Sequence, residues 1–368
     1  MDENLFPVPA GVHPEDPILQ LPKVSLHDHL DGGLRPATII ELAAQSDIEL
    51  PADDPEKLGE WFRTQADSGS LPEYLKTFGV TVGVLQSAEA LTRAAREWTL
   101  DQVADGVFYA ECRWAPEQHV SGELTMDDAV AAVEKGMEEG VAIAAQEGRT
   151  ITTAQILTAM RQNDNSLAVA ELALRHRDNG VVGFDLAGPE DGYPASAHRA
   201  ALDLLRGELF PTTLHAGEDG GLNSMMDAIA ACGAVRIGHG VDIVQDMQIT
   251  DGAGEIGRLA AWVLDRQIPL EVCPSSNIQT GAARSIESHP ITGLKDLGFN
   301  VTVNPDNRLM SQTSVTREMR LLVEHAGWDI IDLEIATASA LRAAFIPLDV
   351  RDRLLEEIVM PGFERIDL

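Results

Sequence analysis

Cysteine is scarce in this chain. Its three residues among 368, Cys112, Cys232 and Cys273, are far apart and odd in number. They form neither a disulfide framework nor a paired-cysteine metal site, and their apolar neighbours predict buried free thiols. Positive charge is scarce too: 27 Lys and Arg stand against 59 Asp and Glu, a formal net charge of −32. That excludes nucleic acid as a partner, because phosphates need a basic face. It counts less heavily against a phosphorylated substrate, since a local basic pocket can exist. Most of the acidic excess reads as solvated surface that keeps the protein soluble. No run approaches the ~18 apolar residues of a membrane span. Residues 1–20 are acidic and proline-rich, without the basic start and apolar centre of a signal peptide, so a cytoplasmic protein with no membrane partner is expected. Repeats, low-complexity tracts and Pro/Gly/Ser linkers are also missing. We therefore read residues 1–368 as one domain, with residues 1–20 as an N-terminal arm.

What is present is ordinary globular composition, 44% hydrophobic and 23% charged, arranged as a recurring pattern. A short apolar, often β-branched run is followed by a helical period. Eight such runs are visible: Val24–His29, Val107–Arg113, Ile151–Leu157, Val181–Leu186, Pro211–His215, Val235–His239, Pro269–Cys273 and Asn300–Asn304. Helical periodicity lies between them at Met126–Gln146, Asn165–Asn179, Ser196–Leu205, Ser224–Ala231 and Glu255–Arg266. Eight alternations predict an α/β fold, a (β/α)8 TIM barrel with a C-terminal helical extension. An open doubly wound sheet also alternates, but seldom places polar residues at so many strand ends. The first crossover is too long for one helix, which predicts a helical insertion over residues 50–100. In it Ser70-Leu71-Pro72-Glu73 reads as a helix start, with Ser70 capping and Glu73 at the capping-box position. Leu71, Tyr74, Leu75 and Phe78 then follow one helical stripe. The stripe reads either as core or as a hydrophobic lid over a site at the C-terminal end of the barrel.

Chemistry-bearing residues sit at the ends of the runs. His27 and His29 are two apart, so on a strand both imidazoles point to one face and can reach one ion. Asp28 points the other way and reads as structural; Asp31 stands where it can enter the barrel mouth. His215 is followed by Ala216-Gly217-Glu218, and small residues let the chain turn a carboxylate toward the ion, where it can shuttle a proton. His239 lies between Gly238 and Gly240, with little cover on its flanks. Asp306 follows the eighth run and precedes Asn307. The fourth run ends in Asp185-Leu186-Ala187-Gly188 with no lysine, and a carboxylated lysine there would bridge two metals. A mononuclear metal hydrolase is the expectation.

The stretches LPKVSLHDHLDGGLRP, GSLPEYL, YAECRWAPEQH, VGFDLAG, HAGE, RIGHG, LEVCPSSN and VTVNPDNRLMS resemble signatures of the adenosine deaminase family, and the resemblance runs from about Leu21 to Met360. It is closest to actinobacterial members. The resemblance implies a (β/α)8 barrel with one Zn2+ per chain, held by His27, His29, His215 and Asp306. It implies Glu218 as catalytic proton donor and His239 as the group that steers the attacking water. His29 also borders the substrate, Asp31 would meet the ribose, and the Gly188 N–H would meet purine N3. Leu71, Tyr74 and Leu75 match an apolar gate. The implied substrate is a purine nucleoside, adenosine or 2′-deoxyadenosine. Oligomeric state is left open.

Two positions depart from the family pattern. Asn307 stands where a second aspartate, contacting purine N7, is usual; an asparagine amide donates at any pH, so the contact is expected to survive. Pro305 replaces a commoner threonine and removes a backbone donor. Alternatives on the same fold are adenine, aminofutalosine or AMP as substrate, with Asp31 favouring a ribosyl compound. An extracellular growth factor of adenosine-deaminase type lacks support from signal peptide or disulfides. A metal-binding structural protein without turnover would not need Glu218.

Overall fold

The computed structural model describes residues 5–250 and 253–365. Eight parallel strands form the centre: β1 (Lys23–His29), β2 (Val107–Trp114), β3 (Thr152–Met160), β4 (Val181–Ala187), β5 (Thr213–Ala216), β6 (Arg236–His239), β7 (Leu270–Val272) and β8 (Val301–Val303). Pairing runs β1-β2-β3-β4 in one half and β5-β6-β7-β8 in the other. Two single bridges join the halves, Phe184 to Thr212 and Asp28 to Asp306. The sheet therefore closes on itself, as the eight alternations predicted. Seven residues of β1 and all eight of β2 are buried. Helices cover the outside and side chains fill the inside, which is why these strands read as continuous apolar runs.

The interior is not purely apolar. Glu111 and Arg113 on β2, Asp185 on β4, Arg236 on β6 and Glu271 on β7 are all buried. Arg113 Nη2 donates to Glu271 Oε2 at 2.6 Å, and Arg236 Nη2 donates to Glu111 Oε2 at 2.5 Å. Each charge has an opposite partner, which is the condition for burying it.

The long first crossover is helical, with helices at Pro36–Ser46, Pro55–Ala66, Leu71–Tyr74, Phe78–Val84 and Ala88–Ala104. Helices at Val315–Ala326, Ile330–Ala343, Leu348–Leu354 and Met360–Phe363 make the C-terminal extension. Among the described residues no helix is long and apolar enough to cross a membrane. All three cysteines are buried and free.

Some local expectations fail. Ser70 occupies the N-cap position, but its side chain makes no capping bond, and Glu73 pairs with Lys76 at 2.6 Å instead of closing a capping box. The helix expected from Glu255 starts at Arg258, because Ala253–Ile256 pairs antiparallel with Met247–Thr250 in a hairpin. Asp246, before that hairpin, accepts from the N–H groups of Leu259 at 2.8 Å and Ala260 at 3.0 Å. The helix is thus capped by a residue outside it, which no local pattern reveals.

Candidate metal and active site

The C-terminal ends of the strands converge on a cleft lined by His29, Asp31, Leu71, Tyr74, Leu75, Phe78, Gly188, His215, Glu218, His239, Asp306 and Asn307, among others. About 770 Å³ of non-atom space lies within its walls and mouth, open solvent included. A second cleft lies under residues 7–10, and among the described residues no histidine lines it. The first is therefore where chemistry is concentrated.

His27, His215, His239 and Asp306 bring one ligand atom each into a group within 4.8 Å of one another. His29 reaches this group through Asp306: its Nε2 is 3.3 Å from Oδ1, and His27 Nε2 is 3.2 Å from the same oxygen. Gly238 makes the crowding possible. A Cβ there would stand 3.1 Å from the His27 ring and 3.2 Å from His215 Cα. The backbone is also unusual at the cluster. His239 has φ +62° and Asp306 has φ +59°, left-handed values that side-chain-bearing residues seldom adopt.

The ring partners show which nitrogens face the centre. His27 Nδ1 lies 3.1 Å from Glu271 Oε2, and His215 Nδ1 lies 3.0 Å from Asp185 Oδ1. A carboxylate only accepts, so these Nδ1 atoms carry hydrogen and the Nε2 lone pairs point inward. Nε2 of His27 and of His29 are buried without a hydrogen-bond partner. Two orphaned lone pairs aimed at one carboxylate oxygen fit a bound cation, and N/O donors of this kind suit zinc.

Electrostatics separate the roles further. Burial lowers the pKa of His29, His215 and His239, so these rings are neutral donors. His27 is raised in the metal-free site: burial and Arg113 oppose its charge, but the carboxylates of Asp306 and Glu271 on either side of the ring outweigh them. Asp306 is held well below the carboxylate range, because His27 and the neighbouring histidines overcome its burial. Glu218 goes the opposite way. Burial raises its pKa well above the ordinary value, and the Asp306 and Glu190 charges add to the rise. Its Oε2 lies 3.3 Å from His239 Nε2. The turn that carries it is held by Glu190, which accepts from the N–H of Gly217 at 2.9 Å and of Glu218 at 2.8 Å.

The remaining residues singled out in the sequence border the same cleft. Asp31 is buried with Oδ1 unpartnered, and burial raises its pKa to about 7. Gly188 has φ +105°, and a Cβ there would meet Gln162 Oε1 at 2.4 Å. Asn307 is 3% exposed, while Leu71 and Tyr74 are buried. Asp28 faces away, accepting from Arg308 Nε at 2.9 Å. Despite Pro305, Asp306 keeps both backbone bonds to β1, from its N–H to His27 O at 3.0 Å and from the His29 N–H at 2.8 Å.

Reasoning from motifs missed the supporting residues. Asp185, Glu271, Arg113 and Glu190 received no role, and Gln118, Thr158 and Gln162 also line the cleft. A signal for two of them was present. Glu111-Cys112-Arg113 and Leu270-Glu271-Val272 put charges inside otherwise apolar strand runs, which is costly without an interior partner.

Comparison with known proteins agrees with this geometry. The adenosine deaminase family model matches residues 22–361. Adenosine deaminase 1 of Streptomyces coelicolor is 51% identical over 353 residues, 95% of this chain and 89% of that protein. The crystal structure of an adenine deaminase from Arthrobacter aurescens superposes with a TM-score of 0.80 at 26% identity, covering 92% of this chain and 98% of that one. An amidohydrolase from Burkholderia ambifaria, solved with bound Zn, gives 0.83 at 24% identity, covering 97% and 96%. The cleft carries a buried His/Asp cluster at the strand ends of a closed barrel, and the likeness spans nearly the whole sequence; the chain belongs to the adenosine deaminase family.

Proposed function

We propose that the protein hydrolyses adenosine and 2′-deoxyadenosine to inosine and 2′-deoxyinosine plus ammonia, using one zinc ion per chain. The observation that carries this reading is Glu218 beside His239, at 3.3 Å, on the edge of the His/Asp cluster. Half-identical adenosine deaminases support the reaction, and the match covers almost all of both chains. His27, His29, His215 and Asp306 would hold the metal. His239 is assigned the other role because its Nε2 already faces Glu218, whereas Nε2 of His27 and His29 face only Asp306. Zinc, when bound, supplies a Lewis acid that makes water nucleophilic near neutral pH.

The chain's own residues do the rest. Glu218, kept protonated by its surroundings, gives its proton to purine N1 and makes C6 electrophilic. His239 orients the water that adds at C6. The proton lost by that water passes to the amino nitrogen, the C6–N bond breaks and ammonia leaves, and the remaining C6 hydroxyl proton returns to Glu218, which leaves the C6=O, N1–H form of inosine. Asn307 donates to N7, the Gly188 N–H to N3, and Asp31 binds the ribose. Leu71, Tyr74 and Leu75, part of the 50–100 insertion of the same domain, close over the base and exclude water. Among the described residues no Lys or Arg lines the cleft, which favours an uncharged nucleoside over AMP. Asp31 favours a ribosyl substrate over free adenine. We place the enzyme in the cytoplasm, in purine metabolism.

The test follows ultraviolet absorbance as adenosine becomes inosine, with and without a chelator. Turnover that the chelator abolishes and zinc restores is expected. No turnover by zinc-loaded protein, or turnover only with adenine, aminofutalosine or AMP, overturns the reading.

A further inference from the structure

One signature segment, Leu270-Glu271-Val272-Cys273-Pro274-Ser275-Ser276-Asn277, has so far supplied only Glu271. After β7 the chain enters a short helix, Pro274–Gln279, which ends at Thr280. Three of its polar side chains are buried and turned inward. Ser276 Oγ donates to Asp306 Oδ2 at 2.6 Å. The Asn277 amide nitrogen donates to His239 Nδ1 at 3.0 Å. Thr280 Oγ1 lies 2.9 Å from Glu218 Oε1 and 3.1 Å from Ser276 O, so its single hydroxyl proton is shared between these two acceptors or given to one of them. Each therefore touches a different member of the proposed machinery, and none lines the cleft.

We infer that this turn is a positioning element for the reaction: Ser276, Asn277 and Thr280 orient Asp306, His239 and Glu218 from behind. The inference rests on the functional reading above and assigns residues to which that reading gives no task.

The turn is suited to the work because it is itself anchored. Glu318 Oε2 accepts from the Ser275 N–H at 3.0 Å, and Gln279 Nε2 donates to Met310 O at 3.2 Å. Its side chains can then hold others in place with little freedom of their own. Asn277 matters most for orientation. A donor at Nδ1 fixes the imidazole as the Nε2–H tautomer, and that N–H faces Glu218 Oε2. His239 sits on a left-handed backbone, so backbone geometry alone does not favour this ring placement. Thr280 holds the second Glu218 oxygen, which leaves the carboxyl group one orientation toward the base.

The experiment compares Thr280→Val, Thr280→Ser and Asn277→Leu in zinc-loaded full-length protein. Thr280→Val keeps the shape and removes the hydroxyl. It should lower kcat about 10- to 100-fold, as loss of an outer partner commonly does, with KM, zinc content and Tm close to wild type. Thr280→Ser restores the hydroxyl and should restore kcat. The Thr280→Val penalty should vanish in a Glu218→Gln background, because it acts through Glu218. Wild-type kcat in Thr280→Val, or a full additional penalty on top of Glu218→Gln, overturns the inference. A spectroscopic measurement needs no turnover. Imidazole ¹⁵N shifts of His239 should report Nε2–H in wild type and a mixture of tautomers in Asn277→Leu. An Nδ1–H ring in wild type, or no change in Asn277→Leu, likewise overturns it. A wild type that is inactive on adenosine sinks the functional reading instead, and the spectrum still decides this contact.

Discussion

Replacing Asn307 by leucine tests recognition of the purine at one atom. Asn307 is 3% exposed and lines the cleft directly after Asp306. A leucine of similar length keeps the packing and removes the amide donor. Purine N7 would then be buried against a methyl group with no partner. An unsatisfied acceptor of this kind costs about 1–3 kcal/mol, or roughly 5- to 150-fold in kcat/KM. The assay compares adenosine with 7-deazaadenosine, which has no acceptor at position 7. Wild type should prefer adenosine, and Asn307→Leu should lose most of that preference by slowing on adenosine alone. Asn307→Asp supplies the sign check. A carboxyl group donates only while protonated, so that variant should work at low pH and lose activity as pH rises, a limb absent from wild type on this account. If Asn307→Leu retains the full preference for adenosine, Asn307 does not touch N7 and the docking of the base is wrong.

Other outcomes follow from the same geometry. His27→Ala and His215→Ala each remove an inward-facing nitrogen, so metal analysis should find zinc lost together with activity. Glu218→Gln should retain zinc yet lose activity on the order of 10² or more. As the proposed acid, the Glu218 carboxyl group would have to be protonated, and burial raises its pKa well above the ordinary carboxylate value. Wild-type kcat should therefore hold from the acid side and fall as pH rises through that raised pKa, and the Glu218→Gln profile should lack this limb. Glu271→Leu leaves Arg113 buried without its 2.6 Å partner; denaturant unfolding should show a loss of about 3–5 kcal/mol.

The barrel was legible because each strand is short, apolar and punctuated, and because β1 and β2 are buried on both faces. The eight predicted runs each overlap a strand, with ends displaced by up to three residues, as at Thr152–Met160 against Ile151–Leu157. The chemistry-bearing histidines and carboxylates were legible because strand ends are where a barrel collects side chains, and the structure gathers them around one cleft. What the sequence hid is of two kinds. Asp246 caps a helix that begins twelve residues later, across a hairpin. Glu271 meets His27 across 244 positions. Both depend on long-range closure, to which local periodicity is blind. The left-handed backbone at His239 and Asp306 is hidden for another reason, since neither residue type signals it. The capping box at Ser70 was suggested by pattern alone, and there Lys76 competes successfully for Glu73.

We propose that one zinc ion in the His/Asp cluster, with Glu218 beside it, deaminates adenosine. The most direct measurement titrates zinc into chelator-stripped protein while following adenosine turnover. Expected are no activity without metal, a linear rise, and saturation at one zinc per chain, with Glu218→Gln binding the same zinc and remaining inactive. Full activity in the stripped protein, or a rise that saturates only at two ions per chain, would contradict it.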